Sequence, residues 1–415
     1  DKGCFMSIYF IVIIGVILFE YILSLIVRTL NIKALDPNLP KEFADIFDKE
    51  KYAKSQDYTR TNSKFAYVTS TFSLFLGLWF IFSGFYNTVD LYVRSFGYSE
   101  IITGLCFFGL LFIINDIISL PLSIYSTFVI EEKYGFNKTT YSTFFTDKAK
   151  QYFLMILIGA PVLYIILYFF ESFGSNAWLY VWGFLTCFSI VMQPIFNNFI
   201  APMFNKFTPL EEGLLLDRIK EYLSKVDFPV KRLEVVDGSK RSSHSNAYFS
   251  GFGKNKRIAL FDTLMEQMDD DEIIAVIAHE VGHYKLKHIH SGIILNTIQS
   301  GVMLFILSLF LMNPDLFAVF QMENLSTYAS LLFFSMLYAP ISILLGIFFM
   351  IISRKNEFSA DAYSSKTANM PEALISGLKK MSKENLSNLT PHWLNVFLNY
   401  SHPPVLDRIK ALAND

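Results

Sequence analysis

The stretch "FMSIYFIVIIGVILFEYILSLIV", residues 5–27, contains a single charged side chain, Glu20. A transmembrane helix needs about 20 mainly apolar residues, and this stretch supplies them. It is too long for the apolar core of a signal peptide, and no small-residue cleavage site follows it. The sequence therefore predicts that residues 5–27 span a membrane.

Further stretches have the length and apolar content of membrane spans. They lie at roughly 65–86, 101–130, 152–170, 178–199, 293–312 and 325–352. Over the whole chain 53% of the residues are hydrophobic and 17% are charged, against about 25% charged in soluble domains. We therefore predict a mainly α-helical, polytopic membrane protein with seven transmembrane helices.

The basic residues divide the connecting segments into two sets. One set holds 33 of the 35 Lys and Arg residues, in segments 28–64, 131–151, 204–290 and 354–415. The other set keeps Lys2 and Arg94. Basic connections face the cytoplasm, so we expect a cytoplasmic C-terminal segment and the N-terminus on the opposite side. The net charge is only -2 and no basic patch contains aromatic residues, so we expect no nucleic-acid partner.

Polar residues interrupt several of the predicted spans. They are Glu20, Asn115, Asp116 and the run "QPIFNN" at 193–198. A polar side chain at membrane depth faces protein or water rather than lipid. A single one indicates a hydrogen bond between helices about as often as a water-filled interior, whereas several together favour an aqueous interior.

The spans and loops predict four segments. Residues 1–203 form five spans with their loops, and 204–290 form a cytoplasmic insert. Residues 291–353 form two more spans, and 354–415 form a cytoplasmic C-terminal segment. The insert has the patterning of a small α+β domain.

Within the insert, "PLEEGLLLDRIKEYLSKVDF" has apolar residues at helical spacing. Three short strands are predicted in "RLEVVDGS", "NAYFSGFG" and "RIALFDTL", because turn residues separate them. A second helix is predicted from Asp269 to Ile289, and the acidic residues at its start complement the positive end of the helix dipole.

This second helix contains the pentamer "HEVGH". His279 and His283 are four residues apart, so on a helix both project from one face and can bind one zinc ion. Glu280 lies beside that ion, where it can take a proton from the attacking water as a general base. About one chain in a hundred matches the pattern His-Glu-x-x-His by chance, so a helix with two surface histidines is the alternative.

A catalytic zinc takes three protein ligands and keeps one open position. The candidate for the third ligand is in "SRKNEFSADAYSSK", directly after the last span. Glu357 and Asp361 are four apart on a predicted helix, so one carboxylate can bind zinc while the other stands beside it. Asp361 is then placed to accept the outer N–H of a ligand histidine. An exposed helix with ordinary charges is the alternative.

The other histidines differ in what they predict. His402 precedes two prolines that fix its backbone, and Arg408 follows on a helix; together they could stabilise an oxyanion or hold the substrate's carboxylate. A capping role for the same stretch is equally favoured. His288 is nine positions from His279, so we expect it and His290 at the surface or an interface.

"AHEVGHYKLKH", "SRKNEFSADAYS" and "SHPPVLDRIKAL" together resemble motifs of the type I CAAX prenyl endopeptidases, which are integral-membrane zinc metallopeptidases of the gluzincin group. "EEKYGFNK" at 131–138, "APMFNKFTPLEEG" at 201–213 and "NAYFSGFG" at 246–253 resemble that family as well. Six blocks in the same order make this resemblance far more specific than the pentamer alone.

The resemblance implies one Zn²⁺ per chain, bound by His279, His283 and Glu357, with Glu280 as general base. It implies that the residues from Asn246 to Phe249, with Ala247 and Tyr248 between them, form an edge strand along which the substrate lies extended. It also implies a chamber within the seven helices and removal of the last three residues of prenylated CaaX proteins.

The resemblance also bears on localisation and partners. The chain ends soon after "RIKALAND" without a dilysine retrieval signal, which leaves two expected membranes, a bacterial inner membrane or the endoplasmic reticulum. The expected partners are a lipidated peptide or protein and membrane lipid, and we expect a monomer.

Two other functions are consistent with parts of this sequence. A membrane quality-control zinc protease without prenyl specificity would use the same chemistry, although such chains are shorter with fewer spans. A transporter or receptor with a structural zinc is the least favoured, because such sites are normally closed by four ligands, mostly cysteine. The three cysteines, Cys4, Cys106 and Cys187, lie far from the pentamer and form no CxxC pair.

Overall fold

A computed structural model of the protein describes residues 7–251 and 256–414. Among them, seven helical segments are long and apolar enough to cross a membrane, as predicted. These segments are Ile8–Lys33, Lys49–Phe82, Glu100–Tyr134, Tyr141–Phe173, Ala177–Phe204, His288–Phe310 and Ala339–Ala368. Residues 5 and 6 of the first predicted span, and residues 252 and 253 of "NAYFSGFG", lie outside the described residues.

The first nine helices form the first five spans and the connections between them. In chain order they are α1 Ile8–Lys33, α2 Lys49–Phe82, α3 Phe85–Arg94, α4 Glu100–Tyr125, α5 Glu132–Tyr134, α6 Tyr141–Leu154, α7 Ala160–Phe173, α8 Ala177–Ile195 and α9 Ala201–Phe204. Turns of π-helix join some of these helices within single spans; they are Ser126–Glu131, Met155–Gly159 and Phe196–Ile200. A proline lies within five residues of each π turn, where its missing N–H disturbs the regular hydrogen bonding.

The remaining helices belong to the insert, the last two spans and the C-terminal segment. They are α10 Leu214–Lys225, α11 Asp262–Gln267, α12 Asp270–Lys285, α13 His288–Phe310, α14 Pro314–Val319, α15 Thr327–Leu337, α16 Ala339–Ala368, α17 Pro371–Glu384, α18 Trp393–Asn399 and α19 Val405–Asn414.

The last span differs from its predicted bounds of 325–352. The helix breaks at Tyr338, and α16 starts at Ala339 with Pro340 in its first turn. Proline has no N–H to donate and its ring clashes with the preceding turn, so a helix begins at a proline more readily than it continues through one. Helix α16 then continues without interruption from the membrane span to Ala368, and so it also carries Glu357 and Asp361.

The insert contains a four-stranded sheet in the order β1-β2-β4-β3, formed by β1 Phe207–Pro209, β2 Arg232–Val236, β3 Ala247–Ser250 and β4 Arg257–Phe261. Strands β2 and β4 are parallel and the other pairs are antiparallel. The three predicted strands are present. Strand β1 was not predicted, because three residues ending in proline show no alternation. Strand β3 is an edge strand, as the family resemblance implied.

Helix α12 packs under this sheet and supplies much of the core of the insert, including Ile273, Ile277 and Val281. Its first turn is closed by a capping box, in which the Asp269 carboxylate accepts from Glu272 N–H and Glu272 accepts from Asp269 N–H. The predicted end at Ile289 was wrong. The helix stops at Lys285, and Lys287 adopts a left-handed conformation with φ of 61° before α13 begins.

Several of the polar residues at membrane depth line cavities between the spans. Glu20 lines a cavity of about 530 Å³, and Gln193 lines one of about 280 Å³. Asn115 lines a third cavity of about 260 Å³. Asp116 instead pairs with Lys148 and accepts a hydrogen bond of 2.6 Å from Tyr152 Oη. These contacts fit both expected uses of membrane polar groups, a water-accessible interior and hydrogen bonds between helices.

The basic segments contact one another at one end of the bundle. Lys51 forms an ion pair of 2.7 Å with Glu384, which links the first loop to the C-terminal segment. His244 of the insert stacks on Phe136 of the loop at 131–151, with ring centroids 3.9 Å apart. The segments that were predicted to share one side of the membrane therefore lie together. The division of the chain into four segments stays a prediction.

Candidate active site

The two histidines of the pentamer point to one place from helix α12. His279 Nε2 and His283 Nε2 are 3.0 Å apart, as the spacing of four residues predicts. His279 is buried and His283 is partly buried. The two ring nitrogens are close together and both lie on the side of α12 away from the core of the insert, so they can bind one metal ion.

Glu357 reaches the same place from helix α16. Its Oε1 lies 3.2 Å from His283 Nε2, and its Oε2 lies 3.4 Å from His279 Nε2. The two helices approach closely at Gly282, where an added Cβ would lie 3.2 Å from the Ala360 carbonyl oxygen. A glycine between the two histidines therefore allows the carboxylate to reach both of them.

His279, His283 and Glu357 can hold a metal ion, because one donor atom of each lies within 4.8 Å of the others. Donors about 2.1 Å from a tetrahedral zinc are about 3.4 Å from one another, which matches the three distances above. Glu357 Oε2 is buried without a hydrogen bond, and its charged neighbours are His279 Nε2 at 3.4 Å and Arg408 Nη1 at 3.5 Å, so it keeps a lone pair to offer a metal. His279, His283 and Glu357 therefore fit a bound zinc ion.

Asp361 supports His279 from the far side of the ring. Its Oδ1 lies 2.8 Å from His279 Nδ1, which is the arrangement expected from the sequence. Burial alone would lower the pKa of His279, but the hydrogen bonds to Asp361 and Glu357 outweigh it and raise this pKa to about 9. A metal that binds Nε2 displaces the proton held there.

Arg408 makes a contact that was not predicted. Its Nε and Nη2 donate to both oxygens of Asp361 at 2.7 and 2.6 Å, and the whole side chain is buried. A guanidinium bound to Asp361 in this bidentate way holds that carboxylate. The structure therefore shows a supporting contact for Arg408. Arg408 also lines the cavity beside Glu280, and its predicted contact with substrate stays a prediction.

Glu280 lies between the candidate ligands and strand β3. Burial raises the pKa of the Glu280 carboxyl group. The neighbouring His279 and His283 and a hydrogen bond from the Phe249 N–H act in the opposite direction and lower this pKa in part. This contact ties Glu280 to the edge of the sheet. A cavity of about 130 Å³ opens here, bounded by Asn246, Ala247, Glu280 and His402, with Leu374 and Leu378 on its apolar side.

His402 borders the same cavity. Its Nε2 lies 3.3 Å from Glu357 Oε1, and its side chain is 63% exposed, so it is accessible from the cavity. The preceding Tyr400 carbonyl accepts a hydrogen bond of 2.7 Å from Arg354, one turn before Glu357 on α16. Helix α16 therefore positions both the carboxylate and the segment that carries His402.

His288 was expected at the surface or an interface because it is nine positions from His279, but it is only partly exposed and contacts a candidate ligand. Its Nδ1 lies 3.1 Å from His283 Nδ1. The assignment assumed one unbroken helix, whereas the chain turns at Leu286 and Lys287. The sequence carries no glycine or proline at this turn that could have revealed it. His290 is exposed, as expected.

Two family profiles together match almost the whole of the chain from residue 28 onward. A profile of peptidase family M48 matches residues 209–415, and a profile described as CAAX prenyl protease N-terminal, five membrane helices, matches residues 28–206. The chain belongs to peptidase family M48. It is an integral-membrane metallopeptidase with seven spans and a small sheet, and the predicted fold class and enzyme class are confirmed.

Relatives of this M48 peptidase resemble it over nearly their whole length. The rice protein named CAAX prenyl protease 1 homolog is 38% identical, with 91% of each chain covered. CAAX prenyl protease 1 of Saccharomyces cerevisiae is 35% identical over 92% of this chain and 89% of its own. The crystal structure of S. mikatae Ste24p matches with a TM-score of 0.93 at 32% identity, covering 97% of this chain and 99% of that one.

Asp361→Asn tests how the M48 site is supported. The substitution keeps an oxygen near His279 Nδ1 but removes the bidentate counter-ion of the buried Arg408, which keeps only the longer contact of 3.5 Å to Glu357 Oε2. We expect metal affinity to fall about 10- to 100-fold. We also expect the free energy of unfolding to fall by roughly 3 kcal/mol, because a broken buried ion pair leaves an uncompensated charge.

Chelator competition measures the affinity and thermal unfolding of the metal-free protein measures the stability. Asp407→Asn is the matched control, since Asp407 is exposed one residue before Arg408. Equal behaviour of the two variants would refute the supporting role of Asp361.

Proposed function

We propose that this M48 peptidase uses one Zn²⁺, bound by His279, His283 and Glu357, to hydrolyse a peptide bond next to the lipidated end of a CaaX-type substrate. The observation that carries the proposal is the convergence of the three donors beside Glu280 and the edge strand. A zinc ion held by these residues would supply a Lewis acid for the scissile carbonyl and lower the pKa of a bound water. One chain supplies all of these groups, so the proposed unit is a monomer.

Glu280 is the proposed general base. Its carboxylate is adjacent to the donor set but is not part of it, and the Phe249 N–H fixes its orientation. Burial raises its pKa, which strengthens it as a base once it is ionised. Glu280 takes a proton from the attacking water and later gives it to the leaving amine.

Strand β3 is the proposed binding element for the substrate backbone. It pairs with β4 on one side, and its other side faces the cavity that Asn246, Ala247 and Glu280 border. An extended peptide added to such an edge gains main-chain hydrogen bonds. The Phe249 N–H is already bonded to Glu280, and the Ala247 N–H donates to Asn246 Oδ1 at 2.9 Å. The proposed partner on this edge is therefore the Ala247 carbonyl, with Tyr248 and Phe249 completing the strand.

The proposed substrate class comes from the relatives. Proteins named CAAX prenyl protease 1 or its homolog are 35 to 38% identical to this chain in rice, human and S. cerevisiae. A site carried by helices that continue into membrane spans suits a substrate that carries a lipid. A quality-control protease without lipid preference is the competing function, and the assay below separates the two.

The central test is Glu280→Gln against a farnesylated CaaX peptide and its unprenylated form. We expect zinc content to equal that of the unchanged protein and the rate to fall at least about 100-fold, because the base is lost while the ligands remain. Release of the C-terminal tripeptide measures the rate. Zinc binding without Glu280-dependent cleavage would refute the enzyme, and equal cleavage of both peptides would favour the quality-control function.

His402 is proposed to stabilise the oxyanion as the carbonyl is attacked. We expect His402→Phe to lower kcat about 100- to 1,000-fold with little change in KM, because the lost donor acts on charge that develops in the transition state. His402→Gln, which keeps an N–H near the Nε2 position, should recover part of kcat. A change confined to KM would assign His402 to substrate binding instead.

The site is proposed to face the cytoplasm, because the basic segments lie at its end of the bundle. Both expected membranes, a bacterial inner membrane and the endoplasmic reticulum, have a cytoplasmic face of this kind. In a background in which Ser replaces the three native cysteines, Glu50→Cys should react with an impermeant maleimide on sealed vesicles whose cytoplasmic side is outward.

Glu323→Cys, an exposed position in the connection at 313–324, should react only after detergent is added. Labelling in the reverse order would invert the proposed topology.

A further inference from the structure

The two candidate ligand histidines are supported differently on the side of the ring away from the donor set. His279 Nδ1 faces the Asp361 carboxylate at 2.8 Å. His283 Nδ1 faces the imidazole of His288 at 3.1 Å, and the two rings are nearly perpendicular, with centroids 5.1 Å apart. The Asp361 contact was expected from the sequence, whereas the His288 contact follows only from the fold.

The turn between α12 and α13 creates this contact. On an unbroken helix His288 would lie about 140° around the axis from His283, at about 100° per residue. Instead Leu286 N–H bonds to the Gly282 carbonyl, Lys287 takes a left-handed conformation, and α13 starts at His288. A lysine in that conformation is unfavourable, so the surrounding structure maintains the turn.

We propose that His288 is a positioning residue for the metal site, which accepts a hydrogen bond from His283 Nδ1–H. The inference rests on the proposed role of His283 as a ligand. The Nε2 of His283 faces His279 and Glu357, so the ring proton must be on Nδ1 for Nε2 to offer its lone pair. His288 Nδ1 is then the acceptor, and the His288 proton is on its own Nε2.

His288 cannot serve as a further ligand in this arrangement. Its contact is with the nitrogen of His283 that faces away from the donor set, so the His283 ring lies between His288 and the bound ion. The role of His288 is therefore to fix the tautomer and the ring orientation of His283. A neutral imidazole does this for one ligand, while the Asp361 carboxylate does it for the other.

The test uses three variants of the full-length protein in detergent. His288→Phe keeps a ring of similar size but removes the acceptor, whereas His288→Asn keeps an acceptor oxygen near the Nδ1 position. His290→Phe is the matched control, two residues further along α13 and exposed. Zn²⁺ affinity is measured by competition with a chromophoric chelator, and the visible spectrum of the Co²⁺-substituted protein reports the ligand geometry.

We expect His288→Phe to weaken Zn²⁺ binding about 10- to 100-fold and to alter the Co²⁺ spectrum. His288→Asn should stay within a few-fold of the unchanged protein, and His290→Phe should match it. Thermal unfolding of the metal-free proteins identifies a variant that fails to fold. If His288→Phe fails to fold, the Co²⁺ spectrum of His288→Asn is compared with that of the unchanged protein to test the ligand geometry.

Three results would overturn the inference. They are an unchanged affinity in His288→Phe, equal weakening in the Phe and Asn variants, and equal weakening in His290→Phe. None of these measurements uses peptide cleavage. Failure of the Glu280→Gln assay would therefore refute the proposed function without deciding the role of His288.

Discussion

The contact between helices α12 and α16 is the constraint on which the rest of the site depends. It brings Glu357 within 3.4 Å of both candidate ligand histidines. It also buries Asp361, whose charge is balanced by Arg408. The charges of Glu280 and Glu357 then remain, and a divalent cation between the helices would neutralise both. Burying carboxylates is costly unless they are paired, so the donor set itself favours such a cation.

Much of this arrangement could be predicted from local patterns. His279 and His283 are four residues apart, so they lie on the same face of a helix wherever that helix sits in the fold, because the helix repeat is fixed. The same rule applies to Glu357 and Asp361. The seven spans follow from apolar length alone, since an apolar segment of about 20 residues can cross the hydrocarbon as a helix with all of its backbone hydrogen bonds made internally. These features need no knowledge of distant contacts.

What could not be predicted depends on contacts between distant parts of the chain. Nothing in the sequence around Arg408 shows whether its side chain contacts substrate or pairs with Asp361. Strand β1 exists because β2 offers it a partner. The turn at Lys287 is held by the packing of α12 against the sheet and of α13 against the spans, and it alone brings His288 to His283. Pro340 was a usable signal for the break before α16, because proline starts helices more readily than it continues them.

Helix α16 also explains how chemistry that consumes water is placed in a chain made mostly of apolar residues. At about 1.5 Å per residue the helix rises about 27 Å between Ala339 and Glu357. This length is close to the hydrocarbon thickness of about 30 Å, so a span that enters the hydrocarbon near Ala339 would bring Glu357 close to the opposite face. A rigid helix therefore sets the depth of the donor set. A substrate whose lipid stays in the hydrocarbon can present the adjacent peptide to Glu280 at that face, where water is available.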